Sequence, residues 1–141
     1  MKRRASVWLL CVFGLAGCVT VAELRESPPV RVATVGGAYL PLATCVLQLL
    51  GKTQAEEGTL YQLVDVTGAK TASLVAVTRF PGGLFYMVPE PLLELRFDQG
   101  DGDTMKIEAR RSFPGAALEL RAWPIVEQCA GKTVAVSPPL N

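Results

Sequence analysis

Histidine does not occur anywhere in the 141 residues. Its absence removes the general base of Ser-His-Asp and Cys-His nucleophiles, and it removes every zinc site that uses an imidazole ligand. Serine chemistry assisted by lysine is also disfavoured, because no serine has a lysine three positions later. The sequence therefore predicts a protein that is not an enzyme and that uses no cofactor. A mechanism based on two carboxylates remains the remote alternative.

The chain also carries no excess of either charge. The 14 Lys and Arg nearly balance the 13 Asp and Glu, which gives a formal net charge of +1. Lys2, Arg3 and Arg4 lie in an N-terminal segment that we expect to be removed, and 14 − 3 leaves 11 cations against 13 anions, a net charge of −2. Such a domain lacks the basic surface of a nucleic-acid-binding protein. No nucleic acid partner is expected.

The first 17 residues have the organisation of a signal peptide. After the positive start, residues 7–13 (VWLLCVF) form an apolar stretch, and small residues follow. The apolar run from Ser6 to Gly17 has about 12 residues, whereas a helix needs about 20 to span a bilayer. The run leads into Leu15-Ala16-Gly17-Cys18, which resembles the lipobox of bacterial lipoproteins at every position.

This resemblance implies cleavage between Gly17 and Cys18 and attachment of lipid, diacylglycerol with palmitate, to Cys18. The chain would then contact a membrane through its N-terminal lipid. Val19 stands where an Asp is the usual signal for retention at the inner membrane, so we expect an outer-membrane lipoprotein that faces the periplasm. The alternatives are an ordinary secretory signal and a cytosolic N terminus that is apolar by chance.

Two of the four cysteines are left for the mature domain, because Cys11 leaves with the signal peptide and Cys18 carries lipid. Cys45 and Cys129 then lie in an oxidising compartment, where a disulfide is the expected state. A metal or catalytic pair is the alternative. The long separation in sequence and the absence of histidine disfavour it.

The chain divides into four predicted segments. They are a signal peptide (1–17), a lipidated N terminus and tether (18–29), one globular domain (30–132) and a C-terminal tail (133–141). We expect the charged residues of the tether to be solvated, and Pro28 and Pro29 to stiffen its end. Eleven extended residues span at most about 36–40 Å, so the domain would stay close to its own bilayer.

Apolar periodicity predicts an α+β domain. Residues 30–35 are typical of a short strand, and residues 38–50 of a helix that carries Cys45 on its buried face and ends at Gly51. From residue 60 the period becomes two, as in an antiparallel meander. The predicted strands of the meander cover residues 60–66, 72–80, 84–88, 92–98, 104–111 and 116–122.

A second, short helix is expected to begin at Pro124, since proline suits the first helical position, and to carry Cys129. The predicted fold is one main helix packed on a four- to five-stranded antiparallel sheet. The short C-terminal helix would be joined to the main helix by the disulfide between Cys45 and Cys129.

The densest acidic segment contains Asp98, Asp101 and Asp103. Its carboxylates are candidate ligands for a weak calcium site. The alternate positions of the segment carry glycine where a calcium-binding loop carries Asp or Asn. A hairpin turn with Asp-Gly chemistry is therefore the preferred interpretation, and no metal is predicted.

An aromatic segment between two predicted strands contains Phe80, Leu84, Phe85 and Tyr86 beside flexible glycines. These four residues are a candidate partner contact, because exposed apolar side chains often mark an interface. A turn followed by a buried strand is the preferred interpretation.

Together these features predict a lipid-anchored envelope protein that binds or scaffolds another envelope component. The alternative is a carrier of an apolar small molecule held between helix and sheet. The domain is loosely similar to small uncharacterised Gram-negative lipoproteins, in which a cysteine in the first helix and one near the end enclose a strand-rich middle. That similarity implies no activity.

Overall fold

A computed structural model describes residues 20–53, 59–80 and 88–131. Its elements in chain order are helix α1 (Val21–Glu26), strand β1 (Arg31–Gly36), helix α2 (Tyr39–Thr53), strands β2 (Thr59–Val66), β3 (Thr71–Phe80), β4 (Val88–Gln99) and β5 (Thr104–Arg111), and helix α3 (Ala116–Ala130). A 3-10 turn precedes β3 and another precedes α3. Across these ranges no helix is long and apolar enough to cross a membrane.

The five strands form a single antiparallel sheet in the order β1-β5-β4-β3-β2. The consecutive pairs β2–β3, β3–β4 and β4–β5 form an antiparallel meander, as predicted for this part of the chain, and β1 adds beside β5. Alternate residues of each strand face opposite sides of the sheet, so one side buries Leu74, Leu93, Leu95, Phe97 and Ile107. The α+β prediction is confirmed.

Helices α2 and α3 cover the apolar side of the sheet. Val46 of α2 and Val126 of α3 are completely buried between the helices and the strands. Cys45 and Cys129 form a disulfide that joins the two helices, with their Cα atoms 6.0 Å apart. The predicted pairing is thus confirmed, and it closes the helical layer over the core.

The end of the predicted meander is wrong, because residues 116–122 form the first half of α3 instead of a strand. Leu118, Ala122 and Val126 are buried at a spacing of four, whereas Leu120 is 62% exposed. That burial pattern is helical, since a strand with Leu118 and Ala122 inside would also bury Leu120. Pro124 consequently lies inside α3, not at its first position.

Helix α2 extends beyond its predicted C-terminal end. Gly51 does not end α2, which continues to Thr53. An internal glycine weakens a helix by about 1 kcal/mol relative to alanine but does not by itself terminate it. Gly131 does end α3, where its φ of 67° provides the left-handed conformation of a helix C-cap.

The predicted tether is wrong from residue 20 onward, because the chain there folds into α1. The Thr20 hydroxyl accepts a hydrogen bond from the Glu23 amide (3.2 Å), and the Glu23 carboxylate accepts one from the Thr20 amide (2.6 Å). This capping box satisfies two amides that a helix start leaves without partners. Leu24 is 2% exposed, and α1 contacts β4 and β5. Arg25 and Ser27 bond to the side of the sheet opposite α2 and α3.

Candidate functional site

We call the side of the sheet opposite α2 and α3 the open face. Its centre is polar, and opposite charges lie across from each other on neighbouring strands: Glu94 pairs with Arg110, and Arg96 pairs with Glu108. Opposite charges in such cross-strand pairs stabilise a sheet by about 0.2–1 kcal/mol each. The open face is therefore a mutually neutralised network with no excess charge at its centre.

Glu108 is the most highly paired carboxylate of this network. Its two oxygens lie 2.5 Å from Lys106 Nζ and 2.5 Å from Arg110 Nη2. Burial raises the pKa of Glu108, but the hydrogen bonds and positive charges of Lys106 and Arg110 outweigh burial and hold the pKa below its ordinary value. Folding therefore favours the ionised carboxylate.

This lowered pKa predicts acid sensitivity. Glu108 contributes stability above its unfolded pKa of about 4.3, and the contribution is lost as the pH falls through the lower pKa of the folded state. We expect Glu108→Gln to be less stable than the native chain at pH 7, with the difference shrinking below about pH 4. Urea unfolding of both chains at pH 7 and below about pH 4 measures this difference in stability. Glu127→Gln on α3 is the control, and an undiminished difference at low pH would contradict the prediction.

Glu94 is a second carboxylate of the open face, and its side chain is completely buried. Its Oε1 accepts hydrogen bonds from Arg25 Nε of α1 (2.8 Å) and from Ser73 Oγ of β3 (2.5 Å). Its Oε2 has no hydrogen-bond partner among the described residues. A buried acceptor without a partner costs about 1–3 kcal/mol, so this oxygen is the least satisfied polar atom of the open face.

A buried carboxylate on the other side of the sheet shows that this fold can satisfy both oxygens. Glu119 of α3 accepts hydrogen bonds from Arg31 Nε at Oε1 and from Arg111 Nε at Oε2 (3.3 Å). The Arg31 guanidinium also lies 5.5 Å from the ring centroid of Trp123. Glu119 thus fastens α3 to the sheet, and the contrast singles out Glu94 as a carboxylate with spare hydrogen-bonding capacity.

Glu94 lies at a cleft of about 230 Å³ between α1 and the β2 side of the open face. The cleft is lined by Arg25, Val64, Val66, Ala69, Thr71, Ser73, Glu94 and Arg96. One side is apolar and the other carries the charged groups, of which one is acidic. This amphipathic lining is suited to a ligand with a polar head and an apolar body.

Arg96 supplies a second guanidinium to the cleft. Its Nε donates to Asp98 Oδ1 (3.0 Å), and this hydrogen bond raises the pKa of Arg96 above its ordinary value although burial lowers it. Arg25 likewise uses Nε for Glu94. A guanidinium carries five N–H donors, and the contacts described for these two arginines use Nε, so their Nη groups can serve an anion.

Strand β2 forms one edge of the sheet and pairs with β3 alone among the described strands. Leu60, Val64 and Val66 project from it on the open face and are 42%, 49% and 51% exposed. Natural edge strands are usually protected by lysine, proline or a bulge, because an unprotected edge is a template for a further strand. The only charged residue of β2, Asp65, accepts a hydrogen bond from Tyr39 on the opposite side of the sheet.

The three aspartates of the acidic segment do not form a ligand set. Asp98 is directed to Arg96 and to the Thr71 hydroxyl (2.7 Å). Asp101 and Asp103 lie in the hairpin turn between β4 and β5, where the Gly100 amide donates to the Thr104 carbonyl. No group of three metal-ligating side chains occurs in the described ranges. The preferred interpretation, a hairpin turn, agrees with this geometry.

Several predicted site residues lie outside the described residues. These are Cys18 with the rest of the lipobox, the 133–141 tail, and Leu84, Phe85 and Tyr86 of the aromatic segment. The backbone of Phe80 ends β3, but its side chain is also outside the description. Lipid attachment and the aromatic partner contact therefore stay predictions.

Sequence reasoning misses the role of Glu94, because alternation with Leu93 and Leu95 predicts a solvated residue at this position. It is buried because α1 covers it, and α1 was interpreted as an extended tether. The signal that would have revealed both is Thr20-x-x-Glu23, the pattern of a capping box, followed at once by Leu24. The chain matches no protein-family model, no curated protein and no solved structure.

Proposed function

We propose that this chain is a lipid-anchored protein of the bacterial envelope, held at the outer membrane and facing the periplasm, that binds another envelope component along strand β2. The observation that supports binding is the apolar, unprotected edge of β2. Leu60, Val64 and Val66 lie on one face of this edge strand and are about half exposed. A partner strand added there would satisfy the outward-facing amides and carbonyls of β2, and its side chains would pack beside these three.

The position of α1 supports an action close to the membrane. Only Val19 separates the proposed lipid-bearing Cys18 from Thr20, the N-cap of α1. Two residues span at most about 7 Å, so the folded domain would begin directly at the lipid head groups. A flexible reach across the envelope is not part of this proposal, and the partner must itself come to the membrane.

The two alternative functions gain less support. A carrier of an apolar molecule was expected to hold it between helix and sheet, where Val46, Leu95, Phe97 and Val126 are completely buried. The cleft of about 230 Å³ lies on the opposite side of the sheet. A carboxylate enzyme requires two converging acidic groups, whereas among the described residues that line this cleft Glu94 is the single acidic one.

Site-specific cross-linking in the intact envelope tests the proposal. A photo-reactive amino acid at Leu60 of the full chain should give a covalent adduct with a second envelope protein. The matched control is the same group at Leu120, which is also an exposed leucine but lies on α3. The adduct from position 60 should be absent at position 120, and Leu60→Lys should prevent co-purification of the same partner from untreated cells.

The anchor is tested in the same cells. Labelled palmitate should be incorporated into the native chain and not into Cys18→Ser. If several different photo-reactive amino acids at position 60 all leave the chain as uncross-linked monomer, the binding proposal fails. If palmitate is not incorporated, the anchor proposal fails independently of the partner.

A further inference from the structure

We propose that the cleft between α1 and strands β2 to β4 binds a phosphoethanolamine head group, a phosphate ester that bears a primary ammonium. The source would be a phospholipid of the membrane that carries the anchor. The location of that source rests on the proposed lipid at Cys18, but the recognition chemistry does not. Both charges of the head group and its apolar continuation find complementary groups in the cleft.

The ammonium is assigned to Glu94. The Oε2 atom of this buried carboxylate lacks a partner among the described residues, while Oε1 already accepts two hydrogen bonds. An ammonium donating to Oε2 forms a charge-assisted hydrogen bond, roughly twice as strong as a neutral one. A trimethylated ammonium has no N–H to donate, so the same site would discriminate against a choline head group.

Entry of the ammonium requires Arg25 to move, because the Glu94 side chain is completely buried and Arg25 Nε lies 2.8 Å from its Oε1. Arg25 is on the outer side of that pair and its side chain is 47% exposed, so it can swing outward without disturbing the core. The incoming ammonium replaces the positive charge that Arg25 had supplied to Glu94. The released guanidinium then becomes available to the phosphate of the same ligand.

The phosphate is assigned to the guanidinium groups of Arg25 and Arg96. Arg96 remains fixed by Asp98 through Nε and keeps its Nη donors for a phosphate oxygen. Arginine suits this role because its planar group binds phosphate in a bidentate manner. With the ligand bound, three positive groups would face three negative ones: the ammonium, Arg25 and Arg96 against Glu94, Asp98 and the phosphate.

The apolar wall of the cleft accounts for the remainder of the ligand. Val64 and Val66 are about half exposed beside Ala69 and can cover the glycerol and the first methylene groups. The volume of about 230 Å³ is smaller than the roughly 300–1,000 Å³ of sites that enclose a drug-sized molecule. It is suited to a head group, with the acyl chains left in the bilayer.

The cleft also lies near the proposed anchor. Arg25 is five residues beyond Thr20, a rise of about 7.5 Å along α1. Adding at most about 7 Å for the two residues from Cys18 places Arg25 within about 15 Å of the lipidated cysteine. A head group from the surrounding leaflet can therefore reach the cleft.

Other ligand classes fit the lining less well. An anion alone would leave Glu94 Oε2 unpaired and would add negative charge beside it. An apolar molecule would leave both arginines and Glu94 without compensation. A simple cation would meet two guanidinium groups. A zwitterion is the ligand class that provides a partner for Glu94 and for both arginines.

The test is a titration of the full, lipidated chain held in bilayer discs of phosphatidylcholine. Glycerophosphoethanolamine should shift the backbone amide resonances of Ser73, Glu94 and Val66, and glycerophosphocholine should bind at least about tenfold more weakly. Discs that contain phosphatidylethanolamine should shift the same amides without added ligand. Shifts from the lipid but not from the free ester would assign the bilayer as the source, and shifts from both would show that the head group suffices.

Variants separate recognition from folding. Glu94→Gln should remove the preference for ethanolamine over choline, and Val66→Lys should weaken both by placing a cation in the cleft. Glu127→Gln, which changes a carboxylate of α3, should bind as the native chain does. Val66 is half exposed, so Val66→Lys decides the matter if Glu94→Gln does not fold.

Equal binding of the two esters, an unchanged preference in Glu94→Gln, or stronger binding of phosphatidylglycerol than of phosphatidylethanolamine would each overturn the proposal. The free-ester titration does not depend on the anchor. If the native chain proves to carry no lipid but still prefers ethanolamine, the anchor proposal fails and the cleft assignment stands.

Discussion

Replacing Gly115 by alanine is expected to destabilise the domain by about 3 kcal/mol or more. A Cβ atom at this position would lie 1.9 Å from the Leu92 carbonyl oxygen and 2.8 Å from its carbonyl carbon. Both contacts are with backbone, so no side-chain rotation can relieve them. The φ of Gly115 is −77°, which any residue adopts, and the effect is therefore steric rather than conformational. Urea unfolding followed by circular dichroism measures the loss.

Gly51→Ala is the matched control for this substitution. Gly51 lies inside α2, and an added Cβ there meets no atom within 4 Å. Alanine should stabilise the helix by up to about 1 kcal/mol. Opposite signs for the two glycine substitutions are the expected result. Equal stabilities would contradict the close approach of α3 to β4 at Leu92.

Replacing Cys45 and Cys129 together by alanine is expected to lower the free energy of unfolding by about 4–5 kcal/mol. The two cysteines are 84 residues apart, and the disulfide connects the helices that cover the core. Without it, the unfolded chain gains the entropy of an open loop that spans most of the domain. This loss is about a third or more of the roughly 5–15 kcal/mol by which a domain is normally stable. The midpoint of urea unfolding, read with and without reductant, gives the value.

The reduced native chain is the internal control for the double variant. Both lack the covalent link, so their unfolding midpoints should agree closely. Mass analysis of the oxidised native chain should find no free thiol at either position. A double variant as stable as the oxidised chain would show that packing alone holds α2 against α3.

The sheet could be predicted because apolar and charged residues alternate along β4 and β5. Leu93, Leu95 and Phe97 face the helices, while Glu94, Arg96 and Asp98 face away, so the period of two was unambiguous. The disulfide could be predicted from the expected oxidising compartment and from the two cysteines that the predicted processing leaves. Neither inference required a contact between distant parts of the chain to be known beforehand.

Helix α3 could not be recognised by the same reasoning. Over residues 116–122, a strand with Leu118 and Leu120 inside and a helix with Leu118 and Ala122 inside are both consistent with the sequence. The choice depends on tertiary packing, because Gly115 permits a close approach to Leu92 and Glu119 reaches Arg31 and Arg111. The pattern of apolar residues over these seven positions reveals neither of these tertiary contacts.

The cleft was missed for a related reason. Arg25, Ser73 and Glu94 lie on three different elements, and only the docking of α1 brings them together. Each of these residues, considered alone, is a polar residue of the kind common on protein surfaces. Their common feature, one carboxylate with a single satisfied oxygen, is a property of the assembled structure.

The docking of α1 gives the segment between the proposed anchor and the sheet two possible lengths. A pull on lipid at Cys18 would load α1 first, and the resistance comes from Leu24, the Arg25–Glu94 pair and the bond from Arg110 to the Ser27 carbonyl. If α1 peels from the sheet, residues 20–29 become extensible chain and add up to about 35 Å of reach. The same event uncovers the Glu94 carboxylate. The distance between the domain and the membrane would then depend on a local folding equilibrium. It would be short while α1 is docked on the sheet and long once α1 has undocked and unfolded.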